Sequence, residues 1–133
     1  MIRSILAVLT GFVTWFVVAT LGNFLIRALL PGYVAAEPTM TFTLAMMVAR
    51  LGLGVLSSLV AGFACSAVAR GNPAAAYGCA ALLVLCFLPI HYKLWQTFPL
   101  WYHAFFLISL APLVLLGAAA QRREWAAPGS PGS

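Results

Sequence analysis

Two histidines and one arginine are the residues of this 133-residue chain whose types are best suited to chemistry. His91 and His103 lie on either side of a short segment rich in aromatic residues, and Arg50 precedes a long apolar run. Imidazole nitrogens bind metals and exchange protons, and a guanidinium binds carboxylates and phosphates. If the three side chains converge, they predict a site for a small anionic or quinone-like ligand.

The segment around the histidines adds large amphipathic rings to this candidate site. Together the candidate ligand-binding residues are Arg50, His91, Trp95, Trp101, Tyr102 and His103. The alternative interpretation is that these rings form an aromatic belt at a membrane surface, where Trp and Tyr are enriched. The pattern contains no catalytic motif, so we expect no catalytic residue.

A metal site is not predicted, because metal ions in proteins usually take three or four protein ligands. Two histidines fall short of this number, and Glu37 is the only further anionic candidate on the same side. Ligation of a haem by both histidines is conceivable. Histidines in an aromatic belt are more often surface residues, however, and we expect neither a metal nor a cofactor.

Arg50 permits two interpretations that differ in what covers the apolar segment of residues 40–49. In one, Arg50 lies at the floor of an aromatic pocket, which shields Met46 and Met47 from water. In the other, residues 40–49 form a separate helix that lies flat on the membrane, and Arg50 reaches the headgroups.

The composition identifies the class of protein that must position these residues. Hydrophobic residues make up 64% of the chain and charged residues 7%, whereas about 25% charged residues are typical of soluble domains. The basic residues are scattered singly and form no patch, so no nucleic-acid partner is expected. The sequence therefore predicts an integral membrane protein whose first partner is the lipid bilayer.

Four uncharged apolar runs are long enough to cross a bilayer, which needs about 20 helical residues. We predict an all-α four-helix bundle in one domain, residues 1–125, with spans near 4–26, 47–69, 74–91 and 99–120. Residues 126–133 are rich in Gly, Pro and Ser and are predicted to be a disordered tail.

The basic residues predict that both termini are cytoplasmic. With this orientation the inner side holds Arg3, Arg70, Arg122 and Arg123, and the outer side holds Arg27 and Lys93. Lys and Arg are enriched in cytoplasmic loops, which favours this topology by four residues to two.

Small residues recur along the second span and predict close helix packing. Gly54, Ser58, Gly62 and Ser66 are spaced by four residues and lie on one helix face, and Gly78 offers a small surface on the third span. Such faces let helix backbones approach closely in a bilayer. We expect the second and third spans to cross through these residues.

The chain resembles small four-span bacterial inner-membrane proteins over nearly its full length. The resemblance rests on Arg3, the Pro99–His103 sequence PLWYH and the Gly117–Arg123 sequence GAAAQRR. It implies a bacterial inner membrane and the predicted topology, and it transfers no site residues.

The function predicted first is that of a non-catalytic accessory protein, whose small-residue faces pack on a second copy or on another membrane protein. The alternative is a small transporter or membrane enzyme with its ligand around Arg50, His91 and His103. The two differ in whether these side chains share one cavity.

Overall fold

A computed structural model describes residues 2–126, and all regular elements in this range are helices. They are α1 (Ile2–Leu29), α2 (Tyr33–Ala36), a 3-10 turn (Glu37–Thr39), α3 (Leu44–Val68), α4 (Pro73–Lys93) and α5 (Leu100–Ala126). The predicted tail lies outside the described residues except for Ala126, which ends α5.

The prediction of four long apolar helices is confirmed. Helices α1, α3, α4 and α5 are each long and apolar enough to cross a membrane. Large apolar side chains point outward along them, as Leu9, Val13, Val17 and Leu21 do on α1. A helix that is apolar all round suits an apolar solvent rather than water.

The boundaries of α3 and α4 follow from capping side chains. Thr43 begins α3 by accepting a hydrogen bond from the backbone N–H of Met46, and Asn72 begins α4 by accepting one from Ala74. Pro73 occupies the first turn of α4, where its missing N–H costs nothing. Gly71 adopts a left-handed φ of 80° in the connection between these helices.

Helix α3 lies at the centre of the bundle, and its small-residue face packs mainly on α5. A Cβ atom added to Gly62 would overlap the carbonyl oxygen of Val114, and one added to Gly117 would overlap that of Leu59. Ser66 donates a hydrogen bond to Oε1 of Gln121, which is also buried.

The prediction that the second and third spans cross through these residues is therefore wrong. Gly54 faces Phe106 of α5, and Gly78 of α4 faces Val8 of α1. Helices α3 and α4 approach each other near their connection, where the Cys65 thiol lies 3.4 Å from the Ala75 carbonyl oxygen. The physical reason is that α5 carries its own small residues opposite α3, so those two backbones come closest.

One end of the bundle brings together the start of α1, the α3–α4 connection and the last turns of α5. Asn72 donates a hydrogen bond to Ser4, and Gly71 lies against the side chain of Arg122. The opposite end carries α2, Arg27, Arg50 and Lys93, and it contains the candidate site. We call it the Arg50 end.

Candidate functional site

Arg50 lies in the second turn of α3 and is held by two tyrosines. Its Nη1 donates to the hydroxyl of Tyr33 at 2.7 Å, and its Nε donates to the hydroxyl of Tyr102 at 3.2 Å. The guanidinium carbon lies 4.8 Å from the centre of the Phe42 ring, within the range of a cation–π contact. Arg50 is half-buried, and these three contacts hold its guanidinium.

Tyr33 links Arg50 to α1. It is fully buried in α2, and its hydroxyl donates to Oδ1 of Asn23 at 3.0 Å while it accepts from Arg50. Gly32, with a φ of 80°, turns the chain immediately before Tyr33 so that α2 folds back over the bundle. The sequence pattern did not identify Tyr33 or Asn23 as site residues.

His91 and His103 form a hydrogen-bonded pair between α4 and α5. Their Nδ1 atoms are 2.6 Å apart, so one of them carries a proton that the other accepts. Both side chains are buried, and Nε2 of His103 has no partner within the described residues. His91 therefore has only Nε2 left for a ligand.

The three remaining candidate residues differ in how they relate to the site. The Tyr102 ring stacks on Phe98 with ring centres 4.4 Å apart, and the Trp95 ring stacks on His103 at 5.0 Å. Trp101 is 43% exposed and touches the site through the edge of Tyr102. Tyr102 thus belongs to the site directly, Trp95 supports the histidine pair, and Trp101 lies outside.

A cavity of about 390 Å³ lies beside these residues, within the range of small-molecule sites. Its polar lining comes from Thr20, Asn23, Arg27, Arg50, His91 and Tyr102. Aromatic rings supply half of the rest, namely Trp15, Phe24, Phe87, Phe98 and Phe106. The structure therefore brings Arg50, His91 and Tyr102 to one cavity, with His103 behind His91.

The cavity opens between α1 and α4. Thr20 and Phe24 of α1 and Ile90 of α4 line it, and all three are exposed. Trp15 and Phe87 lie deeper and are buried, with their ring centres 4.6 Å apart and their planes tilted. Apart from the Thr20 hydroxyl and the exposed Arg27 side chain, the exposed part of the lining is thus apolar, whereas Arg50 is half-buried.

The charges at this end do not cancel. Arg27 and Glu37 form a hydrogen-bonded ion pair, whereas Arg50 has no carboxylate within 4.0 Å among the described residues. The hydrogen bond from Arg27, with weaker help from Asn23, lowers the pKa of Glu37 below its usual value. One positive charge therefore remains at the cavity.

The alternative of a separate surface helix over residues 40–49 is wrong. Residues 44–49 are the first turns of α3, continuous with the rest of that helix. Met46 is buried against Tyr33 and Ala36, and Met47 is half-buried. One face of the apolar segment is covered because α2 folds over Met46, whereas Leu44 and Val48 on the other face are exposed.

The histidine pair has the donor atoms for a metal but too few of them. Within the described residues no group of three or more His, Cys, Asp or Glu side chains comes together. The imidazoles bind each other instead, which explains how two buried histidines are satisfied at their Nδ1 atoms.

Comparison with protein-family models, curated proteins and solved structures found no match. The fold itself defines the class, an all-helical chain with four long apolar helices, compatible with an integral membrane protein. The site adds an aromatic cavity with one unpaired guanidinium.

Proposed function

We propose that this chain is an integral membrane protein that binds a small amphipathic anion in the cavity at its Arg50 end. The observation that carries the proposal is the charge of Arg50, which lines the cavity without a carboxylate partner. A half-buried cation is costly unless it is paired. An anionic ligand would supply that pair.

The Arg50 guanidinium has unused hydrogen-bond donors for such a ligand. Of the five N–H groups of an arginine, the two tyrosine hydroxyls use two, so three remain. The tyrosines also fix the position of the guanidinium, which lowers the entropy lost when an anion binds. His91 Nε2 is available for a second polar contact.

The aromatic walls support an apolar portion of the ligand. Rings from three helices and from the segment before α5 line the cavity, and a ligand ring or chain packs well against such surfaces. A neutral quinone-like ring would also fit these walls, but it would leave Arg50 without a counter-charge. The unpaired charge therefore favours the anion.

The membrane setting of the proposal rests on the four apolar helices and on the distribution of basic residues. We propose an inner-membrane location with both termini cytoplasmic. Arg70 and Arg122 then lie on the inner side, near the start of α1, and the Arg50 end lies on the outer side.

An aromatic anion without an alkyl chain tests the proposal. The purified full chain in detergent is titrated with 2-naphthoate and with neutral 2-naphthylmethanol, and the melting temperature is followed. A ligand that binds only the folded state raises the melting temperature. We expect stabilisation by the anion and a smaller effect of the neutral compound.

The Arg50→Gln variant identifies the site. A hydrogen bond to a charged group is worth about 1.5–3 kcal/mol, so binding of naphthoate should weaken roughly ten- to a hundredfold. The control is Lys93→Gln, which removes one positive charge from an exposed position at the same end and should bind like the parent. Equal binding of anion and alcohol, or equal loss in both variants, would refute the anion site.

The accessory role expected first from the sequence stays a prediction. The small-residue faces on which it was based are occupied within the chain, since Gly62 and Gly117 seat α3 on α5. This occupancy removes its main support and favours the ligand-binding function.

A further inference from the structure

A second apolar depression continues from the mouth of the cavity along the outside of α1. It has a volume of about 350 Å³ and is lined by Phe12, Val13, Phe16, Val17, Thr20 and Leu21. Thr20 lines both this groove and the cavity. A ligand with its head at Arg50 therefore has a continuous apolar path for a tail.

The net charge of the cavity indicates which charge the head group of this ligand carries. Arg27 and Glu37 compensate each other, so the cavity offers the single positive charge of Arg50. A carboxylate carries one negative charge and two oxygens that match a pair of guanidinium N–H groups. A phosphate monoester carries about −1.5 to −2 at pH 7 and would bring excess charge.

The position of the mouth defines how the ligand reaches the site. Its exposed lining residues Thr20, Phe24, Arg27 and Ile90 lie on α1 and α4, rather than on the loops that connect the helices. In a bilayer this surface faces lipid, so a chain-bearing ligand can pass from the lipid phase without crossing water.

We infer that the ligand is a single-chain carboxylate of the long-chain fatty-acid class, which enters sideways between α1 and α4. Its carboxylate binds Arg50, and its chain leaves past Thr20 along the α1 groove. This inference rests on the proposed function, because it assumes that Arg50 binds an anion. The head supplies the selectivity, since a chain gains little when it exchanges lipid tails for an apolar groove.

Photo-crosslinking tests the path of the chain. The full chain in lipid nanodiscs is illuminated with palmitate that carries a diazirine in mid-chain, and the labelled peptides are mapped. We expect labels within residues 12–21 of α1. Unlabelled palmitate should suppress them, methyl palmitate should not, and hexadecyl phosphate should compete less well than palmitate.

Two tryptophan variants test the groove: one obstructs it and the other leaves it open. Thr20→Trp fills the junction between cavity and groove, whereas Leu25→Trp adds the same ring at an exposed position of α1 that lines neither. Roughly tenfold weaker labelling is expected in Thr20→Trp, a loss of about 1.4 kcal/mol. Labelling in Leu25→Trp should equal that of the parent.

The outcomes separate this inference from the proposed function. Labels spread over all lipid-facing helices, or labels that palmitate does not suppress, would overturn the fatty-acid assignment. If 2-naphthoate still binds in an Arg50-dependent way, the anion site itself stands. If the binding of neither 2-naphthoate nor palmitate depends on Arg50, both proposals fail.

Discussion

The buried histidine pair makes a quantitative prediction at the residue scale. His103→Leu leaves Nδ1 of His91 without its partner at 2.6 Å, in a buried position beside the Phe106 ring. An unsatisfied buried polar group costs about 1–3 kcal/mol. We expect the free energy of unfolding in mixed micelles to fall by this amount.

The double variant distinguishes pairing from simple packing. His91→Leu with His103→Leu removes both polar groups, so its loss of stability should be smaller than the sum of the two single losses. Additive losses would mean that the two imidazoles do not interact.

The ion pair of Arg27 and Glu37 predicts a dependence of stability on pH. Because the pKa of Glu37 is lower in the folded chain than in the unfolded chain, the pair stabilises the fold above the ordinary Glu pKa. This stabilisation is lost as the pH falls through the lowered pKa. The melting temperature of the parent should therefore fall in acid.

Glu37→Gln is the control for this pH effect. It should be less stable than the parent at neutral pH, and the difference between the two should vanish in acid. Parent and variant profiles that stay parallel down to low pH would contradict the role of the pair.

At the scale of elements, the contact of α3 with α5 predicts opposite effects of one substitution at two glycines of the same helix. Gly62→Ala places a Cβ onto the carbonyl oxygen of Val114, whereas a Cβ at Gly52 meets nothing within 4 Å. We expect Gly62→Ala to lower the free energy of unfolding by about 1–3 kcal/mol. Gly52→Ala should be neutral or stabilising by up to about 1 kcal/mol, since alanine favours the helix.

Thermal unfolding in detergent measures both variants. Equal melting temperatures for Gly62→Ala and Gly52→Ala would show that the small-residue face of α3 is not a helix contact.

The helices were predictable from the sequence, but their pairing was not. The length of the apolar runs located all four helices, and Asn72 followed by Pro73 is typical of a helix start such as that of α4. In an apolar solvent, polarity does not distinguish one face of a helix from another. The sequence alone therefore could not decide whether the small residues of α3 contact α4 or α5. Gly117 indicates the correct pairing, because its lack of a side chain opposite Leu59 allows α5 to pack closely on α3.

Only some of the site residues were predictable from the sequence. Arg50, His91 and Tyr102 stand out by type in an apolar chain, and they do line one cavity. Tyr33 and Asn23 were missed because their roles depend on the fold-back of α2. No periodicity in the sequence indicates that fold-back, although Gly32 is a local signal for the turn before it.

At the scale of the whole molecule, the positive-inside distribution predicts the orientation of the bundle. A cytoplasmically active reporter fused after Ser133 should be active, and one inserted beside Glu37 should be inactive. A periplasmically active reporter should give the opposite pattern. Activity of the first reporter at Glu37 would reverse the orientation and place the Arg50 end inside.

The short connection between α3 and α4 constrains the order in which the bundle is assembled. Gly71 donates a hydrogen bond to the Ser66 carbonyl, and Asn72 caps the next helix at once, so the chain reverses without a free loop. If the four long helices span a bilayer, these two enter it as one hairpin. Its inner face is still incomplete at that stage, because Ser66 and Gly62 find their partners on α5. Helix α5 thus completes the contacts of α3, and a chain interrupted before Leu100 would leave the polar and small-residue face of α3 without those partners.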